Sequence, residues 1–314
     1  MKVLLTGSTG QLGQALLASR PMQIDGEPLE LIATARCKDL AQAQALELLP
    51  LDLADPEACR AAIATNRPDW VLNAGAYTAV DRAESEPVLA RAVNAGAPRA
   101  FAEALSELCP SARLLQISTD FVFNGEQGHP YRPEQPLAPL GVYGASKAAA
   151  EQAVRQILGC SPEGSATILR TSWVYGPAGK NFLLTMLRLH GQRAVSGEPL
   201  RVVADQVGCP TSTAGLALAC WAVIQRQIGG VLHWSDAGAA SWYDFAVAIG
   251  ELAVAAGVLE CAAPVEPITT ADYPTPARRP PYSLLDCSSS RQHLGLQPRH
   301  WRDALREVIA DVGH

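Results

Sequence analysis

The chain has 314 residues, 48% of them hydrophobic and 18% charged, with a formal net charge of -6 and a pI near 5.6. That length supports one large or two modest domains with a sizeable core, and the acidic balance excludes electrostatic attraction to phosphate backbones or anionic membranes, so neither nucleic acid nor membrane is an expected partner. The eight cysteines are scattered without CxxC or metal-ligand spacing, so free thiols in a reducing cytoplasm are expected, with no metal centre.

Met1 to Leu5 runs straight into Thr6-Gly7, leaving no room for a signal-peptide core. The longest apolar helix-like run, Ala214 to Ile224, falls short of the ~20 residues a membrane span requires.

Lys2 to Thr6 is an apolar run of strand length, Gly7-Ser-Thr-Gly10-Gln-Leu-Gly13 follows at once, and Gln11 to Ala18 reads as a helix. Strand, glycine loop and helix in that order make a glycine pattern a dinucleotide-binding hypothesis. Bare backbone lets a pyrophosphate approach, and the helix N-terminus offers amides and partial positive charge. Gly7, Gly10, Gln11, Leu12 and Gly13 are therefore the candidate cradle; a tight turn serving only packing is the alternative.

Leu29 to Thr34 is the second strand, ending in Ala35-Arg36. A carboxylate there would bind the ribose hydroxyls of NAD, whereas arginine suits a 2′-phosphate, so NADPH is the expected cofactor with NADH as the alternative. An ordinary solvated arginine is the competing reading of Arg36. Leu48 to Leu53 brings Asp52 and Leu53 to the end of the third strand, where Asp52 also suits a helix cap. Trp70 to Asn73 is the fourth strand and delivers Ala74, Gly75 and Ala76, small residues against which a cofactor can lie.

Pro98 to Leu108 reads as a sheet-covering helix and Arg113 to Ser118 as a buried parallel strand. The strand ends in Ser118-Thr119-Asp120, beyond the carboxyl end, where ligands of open α/β sheets bind; a helix-cap pair is the alternative. A polar, proline-rich loop from Glu126 to Leu140 leads into Tyr143-Gly-Ala-Ser-Lys147. Tyrosine and lysine four apart share a helix face. An isolated phenol has a pKa near ~10, and a neighbouring ammonium favours the phenolate, so Lys147 is expected to make Tyr143 a usable general acid/base. Only three other lysines occur, Lys2, Lys38 and Lys180.

Ala166 to Arg170 is a further strand, followed by Thr171-Ser-Trp173, in which the indole suits either a stacking surface or a half-buried core position. A helix begins at Asn181-Phe182 and runs to His190, a strand spans Leu200 to Val203, and a helix spans Thr213 to Gln227. Gly230 to Ser235 reads as a strand, Ser241 to Ala256 as a serine-capped helix, and Gly295 to Val312 closes the chain with another helix. This alternation predicts an α/β fold: a Rossmann-like doubly wound parallel sheet with a smaller α/β substrate-binding domain. Residues 1–171 with 204–228 are expected to form the cofactor domain, 172–203 with 229–300 the second domain, and 301–314 a C-terminal helix.

The GxxGxxG spacing resembles the extended branch of the short-chain dehydrogenase/reductases. Tyr77-Thr-Ala-Val-Asp-Arg-Ala-Glu-Ser-Glu-Pro87 with Asn94, then Asp205-Gln206-Val-Gly-Cys-Pro-Thr211, then Arg278 to Asp286, resemble the dTDP-4-dehydrorhamnose reductases over nearly the whole chain. The resemblance implies NAD(P)H-dependent reduction of the C4 ketone of dTDP-4-dehydro-β-L-rhamnose to dTDP-β-L-rhamnose, the last step in making that sugar donor. It implies Asp52 and Leu53 at the adenine, and Lys147 on the cofactor ribose while keeping the phenol acidic. Tyr143 is then the proton donor, and Thr119, in place of the more usual serine, holds the carbonyl oxygen. Asp120 is implied on a sugar hydroxyl and Trp173 against the sugar nucleotide.

Tyr282 stands where the family usually has asparagine, and Ala15 where some members place an acidic residue for a Mg2+-bridged dimer, so no metal is expected. A small-molecule sugar nucleotide is the implied partner, for a monomer or homodimer. Three alternatives stay open. One is a reductase of a related dTDP-6-deoxy-4-keto sugar. Another is a dehydratase or epimerase, although a dehydratase would carry an acid after Asp120 where Phe121 stands. The third is a non-catalytic NADP-binding regulator, like the relative that acts on methionine adenosyltransferase, which would have no need of Thr119, Tyr143 and Lys147 together.

Overall fold

The computed structural model describes residues 1–37 and 47–312. Among these, seven strands form one parallel sheet: β1 (Lys2–Thr6), β2 (Glu30–Ala35), β3 (Leu49–Pro50), β4 (Trp70–Asn73), β5 (Arg113–Thr119), β6 (Ala166–Thr171) and β7 (Gly230–His233). Their order is β7-β6-β5-β4-β1-β2-β3. Every neighbouring pair is parallel. The direction of winding reverses between β1 and β4, which is where such sheets open a crevice beyond their carboxyl ends.

The period-two alternation of β1 sends its side chains to two different cores. Val3 and Leu5 pack with Leu12 and Leu16 of α1 (Gln11–Ala18) and with Leu216, Cys220 and Val223 of α6 (Thr213–Gln225). Leu4 faces the other way, onto Ile63 of α2 (Pro56–Asn66), Phe101 and Leu105 of α3 (Ala97–Leu108), and Val154 of α4 (Val142–Leu158). Helix α6 is apolar on most sides because it is buried on most sides.

Local chemistry sets the helix ends. Asp55 caps α2 by accepting from the Glu57 and Ala58 amides, with Pro56 in the first turn. Asn181 caps α5 (Phe182–Ser196) through the Leu184 amide, so that helix runs past His190, where it was expected to end, to a left-handed Gly197. Ser241 and Asp244 close a reciprocal capping box on α7 (Trp242–Ala255).

A separate core joins α5, α7 and α8 (Trp301–Val312) through Leu183, Leu187, Phe245, Ile249, Leu305 and Ile309. Residues 200–203 pair in parallel with 265–268 beside it. The strand at 230–233, expected from the sequence in the second domain, is hydrogen-bonded instead into the main sheet beside β6, from Gly230↔Thr167 to His233↔Arg170. The reason is connectivity: α6 returns across the sheet face, and the chain after it re-enters at the open β6 edge with Leu232 buried in the same core. No helix among the described residues is long and apolar enough to cross a membrane.

Candidate active site

The glycine loop is shaped by backbone contacts that no side chain would permit. Gly7 has φ +68°, and a Cβ on it would lie 2.6 Å from Gly75 Cα. A Cβ on Gly13 would run into the Gly7 carbonyl oxygen and the Ser8 backbone, and one on Gly75 would meet the Leu53 side chain. Loop, helix α1 and the turn after β4 therefore close on one another as bare backbone. No side chain caps the start of α1 at Gly10, which leaves the first amides of Gln11, Leu12 and Gly13 for a ligand. This concave, donor-lined surface fits a dinucleotide pyrophosphate. Arg36 stands exposed just past the end of β2. Asp52 is exposed and accepts from the Ala54 amide at 2.9 Å, closing a local turn; the cap of the following helix is Asp55 and not Asp52.

A polar chain crosses the strand ends beneath this loop. Thr6 Oγ1 donates to Asn73 Oδ1 at 2.6 Å, Asn73 Nδ2 to Gln116 Oε1 at 2.7 Å, and Gln116 Nε2 to the Ile117 carbonyl oxygen at 2.7 Å. The same carbonyl accepts from Lys147 Nζ at 2.6 Å. Thr6 Oγ1 also accepts from the Gly75 amide at 3.0 Å, which ties the lysine's anchor to the glycine turn. Thr6, Asn73 and Gln116 are fully or almost fully buried; a polar residue inside an otherwise apolar strand run was the only sequence signal of their role.

Tyr143, Thr119 and Asp120 meet beyond the end of β5. The ring of Tyr143 packs edge-on against Phe121 with centroids 5.7 Å apart. Gly144 lets the Phe121 carbonyl approach α4 where a Cβ would collide with it. Asn94 holds the start of α4 from the side: its Nδ2 donates to the Tyr77 carbonyl oxygen at 3.0 Å and to Ser146 Oγ at 3.1 Å. The Val142 amide donates to Glu84 Oε1 at 2.8 Å. Asn94 lies in a π-helical turn, Ala92–Gly96, a distortion often found at functional sites. Glu84 was not singled out from the sequence, since nothing in it marks a cap supplied from a remote segment.

The electrostatics depart from the sequence expectation in one respect. Lys147 was expected to keep the phenol acidic; instead burial, with Asp120's charge adding to it, pushes Tyr143 up to about 12 despite an opposing pull from the Thr119 hydroxyl. The ammonium is committed to the Ile117 carbonyl, and burial brings Lys147 down to about 8, with Glu151 opposing. Burial likewise pushes the Asp120 carboxyl up to about 6. Thr119 Oγ1 donates to Asp120 Oδ1 at 3.0 Å and accepts from the Phe121 amide at 3.2 Å, so it caps the following turn while holding the carboxyl. Asp120 Oδ2 is buried without a hydrogen-bond partner, although the nearby Ser283 hydroxyl pulls the carboxyl's pKa down against the burial. An unpaired buried carboxylate oxygen is costly unless a ligand completes it.

Trp173 has φ +47° and is covered on both ring faces. Trp242 stacks on one, and the Gly208 backbone lies so close to the other that a Cβ there would sit 2.7 Å from the indole. Its edge, not its face, is left for a ligand. Trp242 was missed by the sequence reading; its Nε1 donates to Gln206 Oε1 at 3.2 Å, within a stretch that had drawn attention. Tyr282 is flanked by Pro281 and Ser283, which hydrogen-bond Val207, and packs beside Phe123 and Tyr131.

The family described as RmlD substrate binding domain matches residues 1–313. The dTDP-4-dehydrorhamnose reductase of Aggregatibacter actinomycetemcomitans is 38% identical over 315 residues, covering 98% of each chain. A probable dTDP-4,6-dihydroxy-2-methyloxan-3-one 4-ketoreductase of Streptomyces antibioticus is 40% identical over 316 residues, covering 99% of this chain and 96% of the relative. Among solved structures, the dTDP-4-dehydrorhamnose reductase of Bacillus anthracis str. Ames in complex with NADP matches with a TM-score of 0.83 at 32% identity and covers 99% of both chains. With the fold, the glycine cradle and the Tyr143–Lys147 helix in place, the chain belongs to the RmlD family, alongside the dTDP-4-dehydrorhamnose reductases.

Proposed function

We propose that this protein is an NADPH-dependent oxidoreductase that reduces the C4 ketone of dTDP-4-dehydro-β-L-rhamnose, giving dTDP-β-L-rhamnose. The observation that carries the reading is the meeting of Tyr143, Thr119 and a half-satisfied Asp120 beyond β5, beside the glycine cradle. Gly7, Gly10, Gln11, Leu12 and Gly13 hold the pyrophosphate by backbone amides, and Ala74, Gly75 and Ala76 form the floor along the cofactor. Arg36 takes the 2′-phosphate, Asp52 and Leu53 border the adenine, and Tyr143 and Lys147 hold the nicotinamide ribose. The sheet with α1 to α4 and α6 is the cofactor half. The segments around α5, α7 and α8, with Trp173, form the sugar-nucleotide wall.

The cofactor, when bound, supplies the hydride for C4. The chain's own part is to orient the ketone and deliver the proton. A phenol held near 12 is neutral at physiological pH, the form that a donor to a developing alkoxide requires. Thr119 has one hydroxyl proton, shared between Asp120 and the incoming oxygen. Turning it toward the ketone gives a second donor where charge develops. Asp120 Oδ2 accepts a sugar hydroxyl and so gains the partner it lacks. A small sugar nucleotide is the sole partner this chemistry requires, in the cytoplasm and in a monomer or homodimer alike.

The test is NADPH consumption with dTDP-4-dehydro-β-L-rhamnose and identification of the product sugar by NMR. Cofactor binding with no consumption would assign the chain to the regulatory homologues. Faster turnover of a different dTDP-6-deoxy-4-keto sugar would move it toward an activity like that of the Streptomyces relative.

A further inference from the structure

We propose that Glu151 is a positioning residue for the reaction: clamped between Ser118 and Arg170, it fixes the catalytic face of α4 on the end of β5 and keeps Lys147 charged. This rests on Lys147 acting in the reaction as proposed above. Tyr143, Lys147 and Glu151 follow at four-residue steps along one face of α4. Glu151 and Arg170 are fully buried and Lys147 is 3% exposed. The Glu151 carboxylate accepts from Ser118 Oγ at 2.6 Å, from Arg170 Nε at 2.9 Å and from Arg170 Nη2 at 2.7 Å. Ser118 and Arg170 are register partners on β5 and β6, so one carboxylate bolts the helix to two strands at once.

Lys147 is bonded to Ile117, the residue before Ser118. The helix is thus fastened to two consecutive residues of β5, immediately before Thr119 and Asp120. A one-residue slip would move the phenol away from Thr119.

The charge arrangement assigns the carboxylate a second task. On its own helix Lys147 has Tyr143 one turn before it and Glu151 one turn after, and Glu151 is the charge that acts on it. Asp120, from the turn after β5, acts on Tyr143, Arg170 of β6 is bonded to Glu151, Glu84 holds the helix start, and Arg155 lies 3.8 Å from Glu151. Arg170 is otherwise bonded to the Pro133 carbonyl at 3.0 Å and to His233 Nε2 at 3.1 Å. Burial and Arg170 itself keep His233 neutral, down at about 3. Glu151 is the anion that acts on Lys147, one helical turn away, against the desolvation that works to discharge it. An apolar pair would fill the same space without buried charge; it would leave the lysine to lose its proton.

The experiment is the pH profile of kcat/KM for ketone reduction by the full chain, in wild type, Glu151→Gln and the charge-balanced Glu151→Gln/Arg170→Met. The double variant is included because the single one leaves Arg170 buried without its carboxylate. Glu151→Gln is expected to move the alkaline limb to lower pH by about one unit, the size of a lost neighbouring charge, and the double variant, which also removes the opposing charge of Arg170, to move it in the same direction by less. A limb that stays at the wild-type pH, with kcat lowered equally at all pH values, would reduce Glu151 to a packing element and overturn the inference. Lys147→Met separates the two levels of argument. If it retains wild-type turnover and pH profile, the reading of Lys147 and this inference fall together. If it is inactive while the Glu151 variants keep the wild-type limb, only the inference falls.

Discussion

The indoles of Trp173 and Trp242 lie with centroids 3.6 Å apart and planes 8° from parallel, and Phe182 leans on the second at 4.7 Å. The stack joins the segment after β6 to the first residue of α7, so it sits where the sheet-based half meets the second core. Because Gly208 closes the other face of Trp173, only the edge of this stack is left open to a ligand. Replacing Trp242 by leucine is expected to leave Trp173 free to tilt, raising KM for the sugar nucleotide several-fold with little change in kcat. It should also lower stability by about 1–3 kcal/mol from lost stacking and area. Steady-state kinetics and denaturant unfolding measure the two effects; an unchanged KM with lowered stability would confine the pair to packing.

Tyr143→Phe removes the donor and leaves the ring. Turnover is expected to fall by ~10²–10⁴-fold, the range for a lost general acid. NADPH affinity, measured by fluorescence titration, should stay near the wild-type value, because Lys147 remains fixed by Ile117. Wild-type turnover in this variant would exclude the phenol as proton source.

Asp120 makes stability depend on pH in a direction opposite to an ion-paired carboxylate. Its folded pKa is raised, from 3.8 to about 6. The contribution it makes is therefore fully present below about 4 and is lost as pH rises through about 6. At neutral pH the ionised group, with one oxygen unpartnered, is a net cost. Asp120→Asn is expected to gain stability at pH 7–8, by at most about 3 kcal/mol, while sugar-nucleotide KM rises. Asp236, raised to about 6 for the same reason of burial, stays as an internal reference in that variant. Thermal unfolding across pH 4 to 8 checks the sign: equal melting temperatures for the two proteins throughout would show that Asp120 is not penalised in the fold.

Gly13→Ala tests the cradle. The added methyl would meet the Gly7 carbonyl oxygen and the Ser8 backbone, which cannot retreat without opening the loop from Gly75. NADPH affinity is expected to fall at least ~10-fold, the equivalent of about 1.4 kcal/mol. Gly197→Ala is the comparison. Its φ is +73°, yet a Cβ there touches nothing, so only the roughly 1 kcal/mol of left-handed strain is lost and cofactor affinity is kept. Equal effects of the two changes on cofactor affinity would show that the tight contact at Gly13 is irrelevant.

Much of the architecture is legible in the chain itself, because its signals are local. β1 followed by glycines and a helix, the apolar run before Ser118, and the four-residue step from Tyr143 to Lys147 are each set by periodicity or backbone permissiveness within a few residues. Alternation with helices makes the sheet parallel and doubly wound, while the order of its strands is visible only in the folded chain. What only the tertiary structure decided are contacts between residues far apart in sequence. The strand at 230–233 lies in the main sheet because a strand edge was open there. Glu151 bonds Ser118 and Arg170 from a different layer. The phenol's proton affinity was read in the wrong direction for the same reason: spacing puts Lys147 beside Tyr143, while the depth of burial and the Ile117 carbonyl that occupies the ammonium exist only after folding. Desolvation is a property of everything packed around a group, and no local stretch of sequence encodes it.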